Sequence, residues 1–297
     1  MLSDAKTLIT TIRTLYGEAG EIWLYELPTQ IKELSHTLGF RFISVIPNLS
    51  YNFVGLVEMP ARDQIAILKI GLDNTRIASE VKWLGSIGEG VPKIYAYDEA
   101  HNAYLMECLQ PGDSLKGLVR LGQDDEATRI ICQVISSLQS QQATKVGFKH
   151  IAELAKDLEI LQGHYDPKIL SKAIGLFHDL SVDKSTDVLL HGDLHHDNIL
   201  VAGESWKAID PHGYIGDPVA EVGAMIRNPY DCFPNGQSLA KIVDRRLNIL
   251  AEELPFDGKR IKAWAFCLTV LSDAWTFEAH GKVTELELVA ALDGFKV

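Results

Sequence analysis

The chain has 297 residues, 46% hydrophobic and 23% charged, which suits a folded soluble protein of one large domain or two modest lobes. Its formal net charge of −12, from 40 acidic and 28 basic side chains, argues against a general nucleic-acid binder. The same sign would favour a cationic substrate, and a simple solubility charge explains it equally well.

Residues 4–16 and 18–38 carry apolar side chains at helical spacing, with Pro28 expected to open the second half of the latter region and Gly39 to close it. From Phe40 the pattern turns to β-rich runs, 42–46, 52–57 and 65–70, separated by Pro47-Asn48 and by Pro60 to Asp63. A helix over 74–87 and two more strands, 92–97 and 102–108, complete a five-stranded antiparallel sheet with one helix between its third and fourth strands. That is the plan of a kinase-like small lobe. Met106-Glu107-Cys108-Leu109 running into Pro111-Gly112 reads as a hinge, so the lobes are expected at 1–108 and 109–297. Beyond it the spacing predicts helices over 113–121, 124–142, 149–162, 167–180, 219–228, 236–254, 258–280 and 284–292. Cys108, Cys132, Cys232 and Cys267 lack Cys-x-x-Cys spacing and are expected as buried thiols. The chain does not open on a basic-then-apolar leader, and the most apolar helix segment, 263–270, is too short for a membrane span. A cytoplasmic protein without a membrane partner is expected.

Chemistry concentrates in one stretch, His191 to Val201, and its sequel Ala208-Ile209-Asp210-Pro211. Apolar runs bracket a dense polar loop in which Asp193 precedes Asn198, and Asp210 ends the next apolar segment. Base, amide and metal carboxylate follow in that order in kinase phosphoryl transfer. Asp193 would take the acceptor hydroxyl's proton, while Asn198 and Asp210 offer the hard oxygens that magnesium prefers. Lys69 on the third strand and Glu80 on the following helix would form the small lobe's phosphate-clamping pair. Between Asn48 and Gly55, Ser50 or Asn52 stands where a phosphate-covering loop would lie, although a plain β-turn fits equally well. His191, His195, His196 and His212 invite a metal reading, but neighbours such as His195 and His196 point apart on extended backbone, and His191 also fits a scaffold role.

His191-Gly192-Asp193 with Asn198 and Ile209-Asp210 resembles the aminoglycoside phosphotransferases, small-molecule kinases with a protein-kinase-like fold. Gly17 to Gly20 with Trp23-Leu24, Leu68-Lys69, Gly216-Asp217-Pro218 and Arg227-Asn228-Pro229 are similar to the streptomycin 6-phosphotransferase and hydroxyurea-resistance kinase branch. The resemblance implies an α+β, bilobal fold, with a nucleotide-binding lobe at 1–108 and a catalytic, substrate-binding lobe at 109–297. It further implies ATP and Mg2+, with Asp193 as base, Asn198 and Asp210 as metal ligands, Lys69 as phosphate clamp, and Met106, Glu107 and Cys108 beside the adenine. A small cationic, hydroxylated acceptor would meet Asp217, Glu221, Asp231, Asp273 and Glu278, with Trp275 as a cation–π face. Another small metabolite, a sugar or amino alcohol, is the alternative acceptor, and a nucleotide-binding module without catalysis is the non-enzymatic reading. A protein kinase is disfavoured because the interval from Asp210 to Asp217 leaves no room for a long activation segment.

Overall fold

A computed structural model describes residues 5–47, 49–233 and 238–294. The expected helix start at residue 4, Asn48 of the expected phosphate-covering loop and the first residues of the expected 236–254 helix lie outside the described residues. The chain divides into two compact units, one formed by the chain up to Gly85 with Pro92–Leu109, the other by Ser86–Val91 with everything from Gln110 onward.

The first unit begins with α1 (Lys6–Leu38). Gly17 leaves helical geometry at φ 54° and splits the run in two, a conformation glycine adopts without a Cβ penalty. Gly39 ends it in the left-handed region with its N–H on the Ser35 carbonyl. Strands β1 (Arg41–Val45), β2 (Phe53–Met59) and β3 (Gln64–Ile70) follow, then α2 (Asn74–Ser86), β4 (Ile94–Asp98) and β5 (Ala103–Glu107). All five strands pair antiparallel in the order β1-β2-β3-β5-β4. Alternation along β2 buries Phe53 and Val57, which join Leu8, Ile12, Leu27, Ile31 and Leu34 of α1 in one apolar core. Each such side chain contributes about 1.5–3 kcal/mol of burial.

The second unit contains β6 (Pro111–Ser114), α3 (Lys116–Arg120), α4 (Asp124–Gln139), β7 (Lys149–His150), α5 (Pro167–Leu180), β8 (Val188–Leu190), β9 (Ile199–Ala202), β10 (Ser205–Ala208) and β11 (Tyr214–Gly216). It closes with α6 (Gly223–Arg227), α7 (Leu239–Glu253), α8 (Gly258–His280) and α9 (Leu286–Gly294). The strands form two small sheets, β10-β9-β6 and β7-β11-β8. Helix α8 packs against α5, α6, α7 and α9, burying Trp264, Cys267, Val270 and Leu271 completely. Trp264 meets Phe177 of α5 edge-on, with ring centroids 5.3 Å apart. No helix of the described residues is long and apolar enough to cross a membrane.

Several expectations give way here. Pro28 lies inside α1 rather than opening a helix; its missing N–H removes a single bond, to the Leu24 carbonyl, while the buried face on either side holds the helix together. The expected helix at 113–121 begins instead as β6, whose Pro111 pairs with Ala202, and only Lys116–Arg120 is helical. Residues 149–162 form the short strand β7 and tight 3-10 turns over Ile151–Leu161, started by a His150–Glu153 capping box. The 219–228 segment is likewise a 3-10 turn, Pro218–Val222, before α6.

Candidate active site

The polar loop of the second unit joins β8 to β9, and backbone pairing fixes both ends. Leu190 pairs with Tyr214 across β8 and β11, and Ile199 pairs with Ala208 across β9 and β10. Gly192 sits at φ 82°, and a Cβ built there would lie 2.6 Å from the Tyr214 ring. This explains why glycine stands where protein kinases carry arginine: both the backbone and the neighbouring ring exclude a side chain.

His191 is the post around which the loop is tied. Its Nε2–H donates to the Ile209 carbonyl at 2.8 Å, and its Nδ1 accepts the Asp193 N–H at 3.3 Å, which defines the neutral tautomer. Its own carbonyl accepts the N–H groups of His212 and Gly213 at 2.8 and 3.1 Å. Burial pushes the imidazole down to about 4, outweighing the opposing pull of Asp193 and the Ile209 carbonyl. Below it, Glu221 accepts the His191 and Gly192 N–H groups at 2.8 and 2.9 Å. Burial raises the Glu221 carboxyl to about 7 against the lowering effect of those two bonds. His196 is fully buried, and neither of its ring nitrogens has a partner among the described residues. His191 is thus part of the scaffold, and the His196 ring is enclosed within the protein, turned inward from the loop it belongs to.

Asp193 is held on both sides. Asn198 donates Nδ2 to its carbonyl at 2.9 Å and to its Oδ2 at 3.3 Å. His195 Nε2 and His212 Nε2 stand 3.6 and 3.9 Å from Oδ2, and Arg227 Nη2 stands 3.6 Å from Oδ1. Burial alone would raise this carboxyl, but the adjacent His195 imidazole and the charges of His212 and Arg227 prevail and hold it well below the usual range. Asp193 is therefore an ionised carboxylate with fixed geometry. The Ile209 N–H bonds the Asn198 carbonyl at 2.9 Å, which sets the main chain of Asp210 beside Asn198, and Asp210 turns out of the strand at φ 59°.

The donor set suits magnesium. The Asn198 amide nitrogen is committed to Asp193, which leaves Oδ1 as the hard donor, and Asp210 adds a carboxylate. Magnesium bound with a nucleotide needs only one or two protein ligands besides phosphates and waters. Among the described residues no three His, Cys, Asp or Glu side chains converge as a metal cluster of the zinc type.

In the first unit, Lys69 and Glu80 form a buried ion pair at 2.7 Å, both side chains 3% exposed, and Tyr104 donates to the same Glu80 oxygen at 2.6 Å. The pairing of β3 with β5, Lys69 opposite Tyr104, brings this trio together. Ser50 is exposed and Asn52 half-buried before β2. Met106 is buried at the end of β5, whereas Glu107 and Cys108 are half-buried, with the Glu107 carboxylate on the Lys93 N–H at 3.1 Å.

The carboxylates expected to receive a cationic acceptor are largely internal. Asp217 is buried and accepts from Val219 N, Arg260 Nε and Trp264 Nε1 at 3.1, 2.6 and 2.5 Å. Glu221 is the loop's buried support, as above. Asp273, also buried, takes the Tyr165 hydroxyl at 2.9 Å and the Thr284 and Glu285 N–H groups at 2.6 and 2.9 Å. Carboxylates need such partners once buried, and these three are scaffold. Trp275 donates to Asp157 at 3.0 Å, Asp231 pairs with Lys116 at 2.8 Å, and Glu278 is exposed. Arg227, beside Asp193, is a neighbour that the residue pattern alone does not single out; its one signal is the Arg227-Asn228-Pro229 piece similar to the family branch.

The profile of the aminoglycoside/hydroxyurea antibiotic resistance kinase family matches residues 52–280. The streptomycin 3''-kinase of Klebsiella pneumoniae is 32% identical over 200 residues, 63% of this chain and 71% of the relative. The streptomycin 6-kinase of Streptomyces griseus is 27% identical over 282 residues, 88% of this chain and 87% of the relative. Among solved structures, aminoglycoside phosphotransferase APH(4)-Ia in a ternary complex with ADP and hygromycin B shares the fold, with a TM-score of 0.59 at 11% identity, over 90% of this chain and 99% of that one. With a matched span reaching from the second strand of the first unit to the end of α8, the chain belongs to the aminoglycoside/hydroxyurea antibiotic resistance kinases.

Proposed function

We propose that this kinase transfers the γ-phosphate of ATP to a hydroxyl of a streptomycin-type aminoglycoside. The observation that carries the reading is the Asp193–Asn198 arrangement: an ionised carboxylate fixed by an amide whose oxygen remains a hard donor. Asp193 accepts the proton of the acceptor hydroxyl as its oxygen attacks the γ-phosphorus and ADP leaves. Asn198 and Asp210 would hold magnesium, which when bound neutralises charge on the phosphates. Lys69, steadied by Glu80 and Tyr104, binds phosphate oxygens, and the backbone from Met106 to Cys108 receives the adenine. The named activities of the Klebsiella and Streptomyces relatives support streptomycin as the first acceptor to try.

The test mixes the protein with ATP, magnesium and a panel of aminoglycosides and follows ADP. Streptomycin-dependent ADP release is expected, abolished in Asp193→Ala while nucleotide binding by calorimetry persists. Absence of ADP across the panel would remove the aminoglycoside reading, and undiminished turnover in the variant would remove Asp193 as the base.

A further inference from the structure

The two oxygens of Asp193 have different neighbours. Asn198, His195 and His212 all face Oδ2, whereas the cation on Oδ1 is Arg227. Arg227 ends α6, and its Nη1 is tethered to the Gly223 carbonyl one turn back at 3.1 Å. The last carbonyls of a helix have no intrahelical donors. Here a second arginine supplies them: Arg246 Nη1 reaches the carbonyls of Met225, Ile226 and Asn228 at 2.8, 3.3 and 2.6 Å. Arg246 is completely buried and locked to Asp124 by a two-point pair, Nε to Oδ2 at 3.1 Å and Nη2 to Oδ1 at 2.5 Å. On its other side α6 is pressed so closely to α8 that a Cβ on Gly223 would lie 2.3 Å from Leu268. The end of α6 is therefore fixed both along its axis and against its neighbour.

We propose that Arg227 is a positioning residue for Asp193, and that the buried Asp124–Arg246 pair is the mount that aims it. The inference rests on Asp193 being the base. An amide hydrogen bond at one oxygen and a guanidinium 3.6 Å from the other together restrain the carboxylate from rotating away from the hydroxyl it must deprotonate. The planar fork of arginine defines that orientation, whereas a lysine ammonium supplies only the charge.

Arg227→Ala and Arg227→Lys are compared with the parent enzyme, after melting curves establish that each is folded. Arg227→Ala is expected to lose roughly 100-fold in kcat, the scale of a small misplacement of a reacting group, with the KM for nucleotide unchanged. Arg227→Lys should recover part of the loss. Added guanidinium ion at non-denaturing concentration should restore turnover in Arg227→Ala and not in Asp193→Ala. A readout independent of turnover is the crystal structure of Arg227→Ala, in which the Asp193 carboxylate is expected to have turned away from Asn198. Full kcat in Arg227→Ala, or an Asp193 unmoved in its crystals, would overturn the proposal. So would a raised acceptor KM with kcat intact, which would make Arg227 an acceptor contact instead. Parent protein inactive toward every acceptor would count against the functional reading alone, since the crystal comparison tests the positioning without turnover.

Discussion

Gly192 shows how much a single residue determines here. At φ 82°, with the Tyr214 ring where its Cβ would be, alanine is opposed twice. The left-handed backbone costs a non-glycine residue about 1–2 kcal/mol, and relief of the ring contact requires β11 or the loop to shift. Gly192→Ala is therefore expected to lower the melting temperature by several degrees and to reduce turnover more than nucleotide binding, measured by thermal unfolding and steady-state kinetics. A variant with parental kcat would show that the loop tolerates displacement. The same scale explains what was legible in the residues. The Asp193–Asn198 contact was legible because polar groups in fixed order between apolar strands are rare by chance, and the Lys69–Glu80 pair because a buried strand rarely tolerates a charge without a partner. Asp217 and Asp273 mislead for the converse reason. A carboxylate letter is the same whether it faces solvent or is buried, and their side-chain partners Trp264 and Tyr165 are remote in sequence.

At the scale of the element, the polar loop and its support titrate against each other. His191 has a folded pKa of about 4 against an ordinary 6.5, so the unfolded chain binds more protons between those values and stability rises with pH across that window. The full effect is about 3 kcal/mol. Glu221 has a folded pKa of about 7 against 4.5, so the folded state binds more protons in between and stability falls as pH rises through that range. From pH 4.5 to 6.5 the two slopes oppose each other and largely cancel. Glu221→Gln keeps one acceptor for the two loop N–H groups but removes the falling limb. Denaturant unfolding over a pH series should find the variant less stable overall, with a stability that climbs from pH 4.5 to 6.5 where the parent is nearly flat. A variant curve as flat as the parent's would refute this linkage. Elements themselves were legible where periodicity was long, as in α1, α4, α5 and α8, whose buried faces follow the apolar spacing. They were misread where a short segment takes its structure from a distant partner. β6 exists because β9 pairs with it, and 3-10 turns over Ile151–Leu161 carry the same apolar spacing as a helix.

For the whole molecule, the division at the end of β5 follows from a composition change visible in the chain, from β-rich runs to helices, while the return of Ser86–Val91 to the second unit does not. That return depends on bonds no local pattern encodes: the Gln141 side chain accepts the Gly88 and Glu89 N–H groups at 2.8 and 3.0 Å, and the Ala208 N–H reaches the Gly90 carbonyl at 2.8 Å. Net charge is the other whole-molecule property, and it separates two readings that composition left equal. A charge of −12 concentrates a polycationic acceptor near the protein and repels nucleotide polyanions. Both effects extend over a Debye length, about 30 Å at 0.01 M salt and about 8 Å at 0.15 M. If the field steers the acceptor, raising salt through that range should lower kcat/KM for streptomycin and leave kcat unchanged. The same salt should raise kcat/KM for the nucleotide, because screening removes a repulsion, and the opposite signs serve as an internal control against general salt inhibition. A solubility charge spread evenly over both units predicts that each dependence follows net charge alone, so reversing a few acidic residues far from Asp193 would flatten both slopes together. A field focused near Asp193 predicts that such distant reversals leave the acceptor's slope intact.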